Sequence, residues 1–197
     1  EIEMDLCGHA TLATAYCLKN HLDYKKNQVI FDSMSGELIV KFDGEYIQMD
    51  FPHRRPVKAN LPKNIMDSLS YKPIEVLKSR DYVLVYENEA QIKNIKIDKE
   101  LFDKTNLDPG GVVITSTGFN SDFVSRYFVP QCSFFEDPVT GSTHCSLVPY
   151  WSEKLGKIKM RSIQLSDRGG EMFCEDAKTR VIINGQAKTY LKGKIYI

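Results

Sequence analysis

Apolar and polar positions in the first quarter of the chain predict a strand, a helix and a three-stranded meander. Residues 1–6 alternate in polarity as a strand does, and Gly8 interrupts the alternation. Residues 9–22 then predict a helix whose first turns carry no charge on any face, so we expect it to be buried on all sides. Three short strands rich in β-branched and aromatic residues are predicted at residues 28–33, 37–42 and 46–51.

The pattern after the meander predicts a second region with its own strands and helices. Pro52, Pro56 and Pro62 punctuate a linker, so we expect a domain boundary between residues 52 and 62. Helices are predicted at residues 62–69, 95–105 and 142–155. The last should be kinked or shortened by Pro149 and closed by Gly156. Strands are predicted at residues 82–86, 111–117, 123–130, 162–165, 171–174, 180–183, 187–191 and 194–197.

Both halves share one local scheme, in which a glycine-containing turn leads into a strongly apolar helix among short antiparallel strands. The first turn lies at residues 7–9 and the second at residues 140–142. This duplication predicts an α+β fold of two similar domains, each a mostly antiparallel sheet wrapped around a central helix. We expect residues 1–57 to belong to the first domain and residues 58–192 to the second.

The chain begins within a predicted strand, at Glu1, and has no initiator methionine. We therefore expect that a segment upstream of residue 1 is missing from this sequence.

Composition excludes several classes of protein. Lys plus Arg equals Asp plus Glu, at 26 each, so the basic excess of a nucleic-acid-binding protein is missing. No apolar run reaches the ~18–20 residues of a membrane span. The five cysteines are odd in number and contain no C-x-x-C pair, which argues against a disulfide framework and a structural zinc site. We expect a cytoplasmic protein without a bound metal.

Two segments place polar residues where a strand meets a helix start, at residues 6–11 and 136–145. The free N–H groups and the helix dipole at such a place favour an anion, for example the carboxylate of a small substrate. Asp137 precedes Pro138, which favours an extended backbone and should make the carboxylate project from a strand end. Taken alone, Asp137 is equally compatible with a helix-terminal charge, whereas a histidine placed as His9 is more often a cap or a packed side chain than a catalytic group.

Four motifs resemble the PhzF-like family of isomerases, which is named for phenazine biosynthesis. They are CGHATLA at residues 7–13, MDFP at 49–52, SRYFVP with EDPVTGS at 125–130 and 136–142, and QLS with RGGE at 164–166 and 168–171. They occur in family order across nearly the whole chain. The resemblance implies the fold of diaminopimelate epimerase and proline racemase, in which two like domains meet over a cleft. It also implies that residues 193–197 form a last strand returning to the first domain.

The resemblance implies roles for individual residues and no cofactor. His9 and Asp137 match the family's acid-base residues. Gly8 matches the first carboxylate-binding turn, and Gly141, Ser142 and Thr143 match the second. The family's main acid-base glutamate lies upstream of the first motif, and no segment of this chain matches it.

The function expected from these residues is isomerisation of a small carboxylate by proton transfer at carbon. We expect neither nucleic acid nor a membrane as a partner, and the sequence leaves open whether the protein forms a homodimer. One alternative is a two-thiol racemase or epimerase. Cys7 occupies the first thiol position, but Thr140 stands at the second and cannot supply a thiolate. A non-catalytic small-molecule binding protein on the same scaffold is the other alternative.

Overall fold

The computed structural model describes residues 4–195 of the chain and shows an α+β protein. The helices in this range are α1 (Gly8–His21), α2 (Lys63–Ser68), α3 (Glu89–Asn94), α4 (Lys99–Phe102) and α5 (His144–Leu155). The strands are β1 (Gln28–Ser33), β2 (Gly36–Asp43), β3 (Tyr46–Pro52), β4 (Val57–Lys58), β5 (Glu75–Lys78), β6 (Tyr82–Val85), β7 (Val112–Thr117), β8 (Phe123–Phe128), β9 (Glu136–Asp137), β10 (Lys159–Gln164), β11 (Gly170–Asp176) and β12 (Arg180–Gly185).

All of these strands belong to one mixed sheet. Its order is β1-β2-β3-β12-β11-β10-β8-β7-β6-β5-β4, with β9 paired to β8 outside this path. The pairs β8–β10 and β6–β7 are parallel, and the other pairs are antiparallel. Antiparallel pairing of β3 with β12 sets Phe51 opposite Val181. Because one sheet runs across the predicted boundary, the structure does not divide clearly into two domains, and the division at residues 57 and 58 stays a prediction.

The strands β6, β7 and β8 are buried on both faces, as expected for a sheet covered on two sides. On one face, Val113 belongs to the same apolar cluster as Leu147 of α5. On the other, Val112 belongs to a cluster that includes Ile65 of α2 and Phe102 of α4. The alternation of side chains along a strand therefore distributes successive residues between two separate cores.

The second predicted central helix is confirmed, because residues 144–151 of α5 are all buried. Pro149 lies inside this helix, yet the helix continues to Leu155. A proline cannot donate to the carbonyl four residues earlier, and here the carbonyl of Cys145 accepts the backbone N–H of Arg54 at 2.8 Å instead. Gly156 ends the helix in the left-handed conformation with φ of 62°, as predicted.

The first predicted helix is confirmed in position, but its expected burial on all sides is wrong. Only Gly8 and Ala15 of α1 are buried, while Leu12 and Tyr16 pack partly against the core beside β3. Within residues 4–195, no element covers the opposite face of α1, which leaves seven residues exposed: His9, Ala10, Ala13, Thr14, Cys17, Asn20 and His21. None of the helices in this range combines the length and the apolar character needed to cross a lipid bilayer.

The helix predicted at residues 95–105 is wrong in extent, because only the short helix α4 lies within this range and α3 ends just before it, at Asn94. The side chain of Asn88 accepts the N–H of Gln91 and begins α3, and that of Asp98 accepts the N–H of Leu101 and begins α4. Both caps use short polar side chains that favour a helix start over a helix interior. The apolar spacing therefore gave one helical turn of this range but missed both the true start of α4 and the separate helix α3 before it.

The strands predicted at both ends of the chain are wrong where they fall on described residues. Residues 4–6 and 187–195 form no strand, and residues 1–3, 196 and 197 lie outside the described part of the chain. The segment after β12 instead contacts α1, where Thr189 hydrogen-bonds His21 at 2.7 Å and Tyr16 at 3.2 Å. An alternating pattern alone does not make a strand without a neighbour to accept its backbone hydrogen bonds.

Candidate functional site

The two glycine turns predicted from the sequence meet in the structure, backbone against backbone. A Cβ atom built on Gly8 would lie 3.1 Å from the Cα of Gly141, and one built on Gly141 would lie 3.3 Å from the Cα of Gly8. Both glycines are buried. Glycine permits this close approach because it has no Cβ atom. The fold thus brings together two segments that are more than a hundred residues apart in the chain.

The second turn presents backbone donors at this junction. The N–H of His144 donates to the carbonyl of Gly141, and that of Cys145 to the carbonyl of Ser142. No acceptor within residues 4–195 takes the N–H groups of Gly141, Ser142 and Thr143. Ser142 and Thr143 are only 7% and 1% exposed, so their donors lie in a largely dry environment. Together with the start of α1, these groups suit an anion.

Asp137 is fixed to the second turn by a network that Gln164 completes. The Oδ2 atom of Asp137 accepts the Thr140 hydroxyl at 2.5 Å. The side-chain amide of Gln164 accepts the Thr140 N–H at 2.8 Å and donates to the Asp137 carbonyl at 2.7 Å and to the Thr140 hydroxyl at 3.2 Å. Because that hydroxyl accepts from Gln164, its single hydrogen is left for the Asp137 carboxylate.

Strand β9, which carries Asp137, is anchored on its other residue by an arginine. Arg126 forms a bidentate pair with Glu136, with both N–O distances at 2.7 Å, and also donates to the Ile92 carbonyl at 3.1 Å. Arg126, Glu136 and Gln164 all lie in motifs that the sequence singled out, but their contacts join different strands. Spacing along the chain therefore could not assign them a role.

His9 lies at the second residue of α1 and is exposed. Its Nε2 atom is 3.5 Å from the Sγ atom of Cys7, the residue that precedes the helix. The structure therefore places the two predicted acid-base residues in different settings. His9 lies beside the Cys7 thiol at the start of α1, and Asp137 lies beside the Thr140 hydroxyl at the second turn.

A histidine that the sequence analysis did not single out lies beneath the second turn. His144 is fully buried, with Nδ1 at 3.1 Å from the Thr140 carbonyl and Nε2 at 2.8 Å from the Ser162 hydroxyl. A carbonyl only accepts, so the Nδ1 atom carries the proton and the Nε2 atom accepts from Ser162. Burial lowers the pKa of His144 to about 4, against a smaller raising effect of the Thr140 carbonyl. The imidazole is thus a neutral support for the turn.

A buried ion-pair cluster joins the segment before α1 to the second turn. The guanidinium of Arg80 donates to Asp5 at 2.7 Å, to Asp81 at 2.7 and 3.0 Å, and to the Ser142 hydroxyl at 3.0 Å. Asp5 also accepts from Arg54 at 2.6 Å. Burial alone would raise the pKa of Asp5, but the hydrogen bonds and charges of the two arginines lower it to about 2. Apart from the contact between the neighbours Arg80 and Asp81, these contacts span 49–75 residues of chain, so no local motif pointed to them.

The cysteines are unequal in their surroundings. Burial raises the pKa of both Cys145 and Cys174 to about 12, and both side chains are inaccessible. Cys7 is half-buried at the start of α1. Among residues 4–195 there is no group of three or more His, Cys, Asp or Glu side chains placed to hold a metal ion.

Comparison with known proteins gives consistent matches across the chain. The family described as phenazine biosynthesis-like protein matches residues 1–193. An uncharacterized isomerase of Pseudomonas aeruginosa is 40% identical over 197 residues, which are 100% of this chain and 75% of that protein.

Solved structures extend the comparison to the fold. A putative phenazine biosynthesis PhzC/PhzF protein from Clostridium difficile has a TM-score of 0.88 at 43% identity, covering 100% of this chain and 76% of that chain. A probable proline racemase from Agrobacterium radiobacter, solved with bound carbonate, has a TM-score of 0.58 at 12% identity. The match covers 98% of this chain and 68% of that chain. The second likeness shows the shared fold alone, which is that of diaminopimelate epimerase.

Proposed function

Because the chain belongs to the phenazine biosynthesis-like family, we propose that it is a cofactor-independent isomerase, which moves a proton at a carbon atom of a small carboxylate-bearing substrate. The observation that carries this proposal is the contact between the turns at Gly8 and Gly141. Two helix starts converge there, and the N–H groups of Ser142 and Thr143 have no acceptor within the described residues.

The junction suits a substrate carboxylate and the charge that develops when a neighbouring carbon loses its proton. Backbone donors fixed in a dry site stabilise such charge without reorganisation, because the fold already holds them in place. In this proposal Gly8 and the start of α1 bind one side of the substrate. Gly141, Ser142 and Thr143 bind the other side. In this proposal the substrate-binding cleft lies between the two predicted domains, residues 1–57 and 58–192.

Asp137 and His9 are the proposed acid-base residues. The Thr140 hydroxyl donates a hydrogen bond to Asp137 and fixes the orientation of its carboxylate. Asp137 would then accept a proton from the substrate, and His9 would donate or share one on the side of α1. General acid-base residues of this kind typically contribute ~10²–10⁴-fold to a rate.

The contact between Cys7 and His9 favours a second candidate, a thiol-dependent racemase or epimerase. Such an enzyme needs a thiol on each side of the substrate carbon. Thr140 lies at the position of the second thiol, and its hydroxyl is engaged with Asp137. Cys145 is fully buried and its raised pKa keeps it protonated. We therefore favour the acid-base isomerase.

The proposal is tested by incubating the purified protein in deuterium oxide with a panel of small cyclic and acyclic carboxylates and measuring deuterium incorporation by mass spectrometry. We expect at least one compound to gain deuterium at the carbon beside its carboxylate or at a conjugated position. Variants D137A and C7A distinguish the two candidates, because only the isomerase depends on Asp137. Binding of carboxylates without exchange would instead indicate a non-catalytic binding protein.

A further inference from the structure

Arg80 has no role in the proposed function as stated so far, although its guanidinium contacts the second turn at Ser142. It lies between β5 and β6, outside every motif that the sequence singled out. Its side chain is 8% exposed, and each of its three nitrogen atoms donates a hydrogen bond. A guanidinium buried to this extent is normally held for charge balance or for directed hydrogen bonding.

Charge balance within the cluster is already complete. Arg80 and Arg54 face Asp5 and Asp81, which gives two charges of each sign. The Asp81 carboxylate is itself fixed by the Gly111 N–H and the Tyr127 hydroxyl, both at 2.9 Å. The bond from Arg80 to the Ser142 hydroxyl, at 3.0 Å, is therefore additional to what neutralisation requires.

The direction of that bond determines what Ser142 can do. A guanidinium has donors and no acceptor, so the Ser142 oxygen must accept from Arg80. The single hydroxyl hydrogen of Ser142 is then free to donate, and within residues 4–195 no acceptor takes it. Donation from a cation also makes the hydroxyl a stronger donor, because hydrogen bonds in a chain polarise one another.

We propose that Arg80 is a positioning residue of the anion site, which orients the Ser142 hydroxyl as a donor to a substrate carboxylate and holds the two glycine turns in register. The second part of this role follows from Asp5, which accepts from Arg80 and lies three residues before Gly8. Arg80 thereby links the segment entering α1 to the turn entering α5. The proposal rests on the carboxylate site of the proposed function but not on its chemistry.

The test uses acetate as the probe and acetamide as its neutral counterpart, at constant ionic strength. Binding is followed by nuclear magnetic resonance from the backbone amide signals of Gly8, Gly141 and Ser142. We expect acetate to shift these signals and acetamide to shift them far less. Variants R80M and S142A should each weaken acetate binding about tenfold, as expected for loss of a hydrogen bond to a charged group.

A double-mutant cycle separates positioning from a general effect on folding. If Arg80 acts largely through Ser142, the double variant R80M/S142A weakens acetate binding by less than the two single losses combined, and only the effect of Arg80 on the register of the turns adds to the S142A loss. Variant R80K keeps the charge but not the planar fork, so it should recover only part of the affinity. Variant R180M is the matched control, since Arg180 pairs with Asp50 between β12 and β3, and it should bind acetate as the wild type does.

Several results would overturn the inference. Additive losses from R80M and S142A, or equal weakening by R180M, would reduce Arg80 to a structural residue. R80M could fail to fold. In that case, wild-type affinity for acetate in each of the single variants R80K and S142A would reduce Arg80 to a structural residue. Absence of acetate shifts at the two turns in the wild type would reject the anion site itself. Acetate binding without deuterium exchange would reject the proposed isomerase and leave the role of Arg80 intact.

Discussion

The buried histidine beneath the second turn makes the stability of the protein depend on pH. His144 is neutral in the folded state, with a pKa of about 4 compared with an ordinary value of 6.5. Between these values the unfolded chain binds a proton that the folded chain excludes. The stability that the neutral imidazole contributes is therefore fully present above pH 6.5 and is lost as the pH falls through about 4.

The size of this loss follows from the two pKa values. Their difference of about 2.5 units corresponds to roughly 3 kcal/mol at the acid limit, at 1.36 kcal/mol per unit. Between about pH 7.5 and about pH 5 the same relation gives a loss of about 2 kcal/mol. No discount for solvent screening applies, since the side chain is fully buried.

The measurement is urea-induced unfolding at these two pH values, followed by the fluorescence of Trp151. This residue is the single tryptophan of the chain, and its ring stacks on Phe123, which also contacts the His144 ring. We expect the wild type to lose about 2 kcal/mol more than variant H144Q on going from about pH 7.5 to about pH 5. Variant H144Q should be the less stable protein at the higher pH, because it leaves the hydrogen bonds of the imidazole imperfectly replaced.

A control addresses the other histidines. Variant H21Q changes an exposed histidine of α1, and it should show the same difference between the two pH values as the wild type. Equal losses in the wild type and in H144Q would refute the reasoning, since the pH dependence would then arise elsewhere. A wild type that loses no stability over this range would refute it as well.

Three further predictions concern the site and its ion pairs. Variant D137A should lose at least ~10²–10⁴-fold in the rate of deuterium exchange, whereas C7A should keep most of the wild-type rate. An inactive C7A together with an active D137A would favour the thiol mechanism. Variant G8A should lose ~1–3 kcal/mol in urea unfolding, because its Cβ would lie 3.1 Å from the backbone of the opposite turn. The control G193A, where a Cβ meets nothing within 4 Å, should be near neutral. Variant D5N should lose less stability than the wild type as the pH falls from 3.8 through about 2. The reason is that the lowered pKa of Asp5 makes its carboxylate stabilising above that range, and this contribution is lost when the carboxylate is protonated. Identical acid-unfolding curves for D5N and the wild type would contradict this prediction.

Local features of the fold could be predicted from the sequence because their physical causes are local. The alternation and turn residues of the meander gave β1 at residues 28–33, and β2 and β3 to within about a residue at each end. The apolar runs after the two glycine turns gave the positions of α1 and α5, and Gly156 gave the end of α5. The same turns, at Gly8 and Gly141, are the segments that the structure brings into contact.

Features that depend on contacts between distant residues were decided only by the tertiary structure. Pairing of β3 with β12 joins the meander β1–β3 to the rest of the strands in one sheet. No spacing along the chain predicts this pairing. The apolar surface of α1 is covered on only one face within residues 4–195, because burial depends on what packs against a helix as well as on its own composition. Arg80 and His144 became interpretable for the same reason. A charge or an imidazole acquires its role from the partners and the dielectric that surround it. The fold supplies Asp5, Asp81 and Ser142 as partners of Arg80, and Ser162 as a partner of His144, from separate parts of the chain.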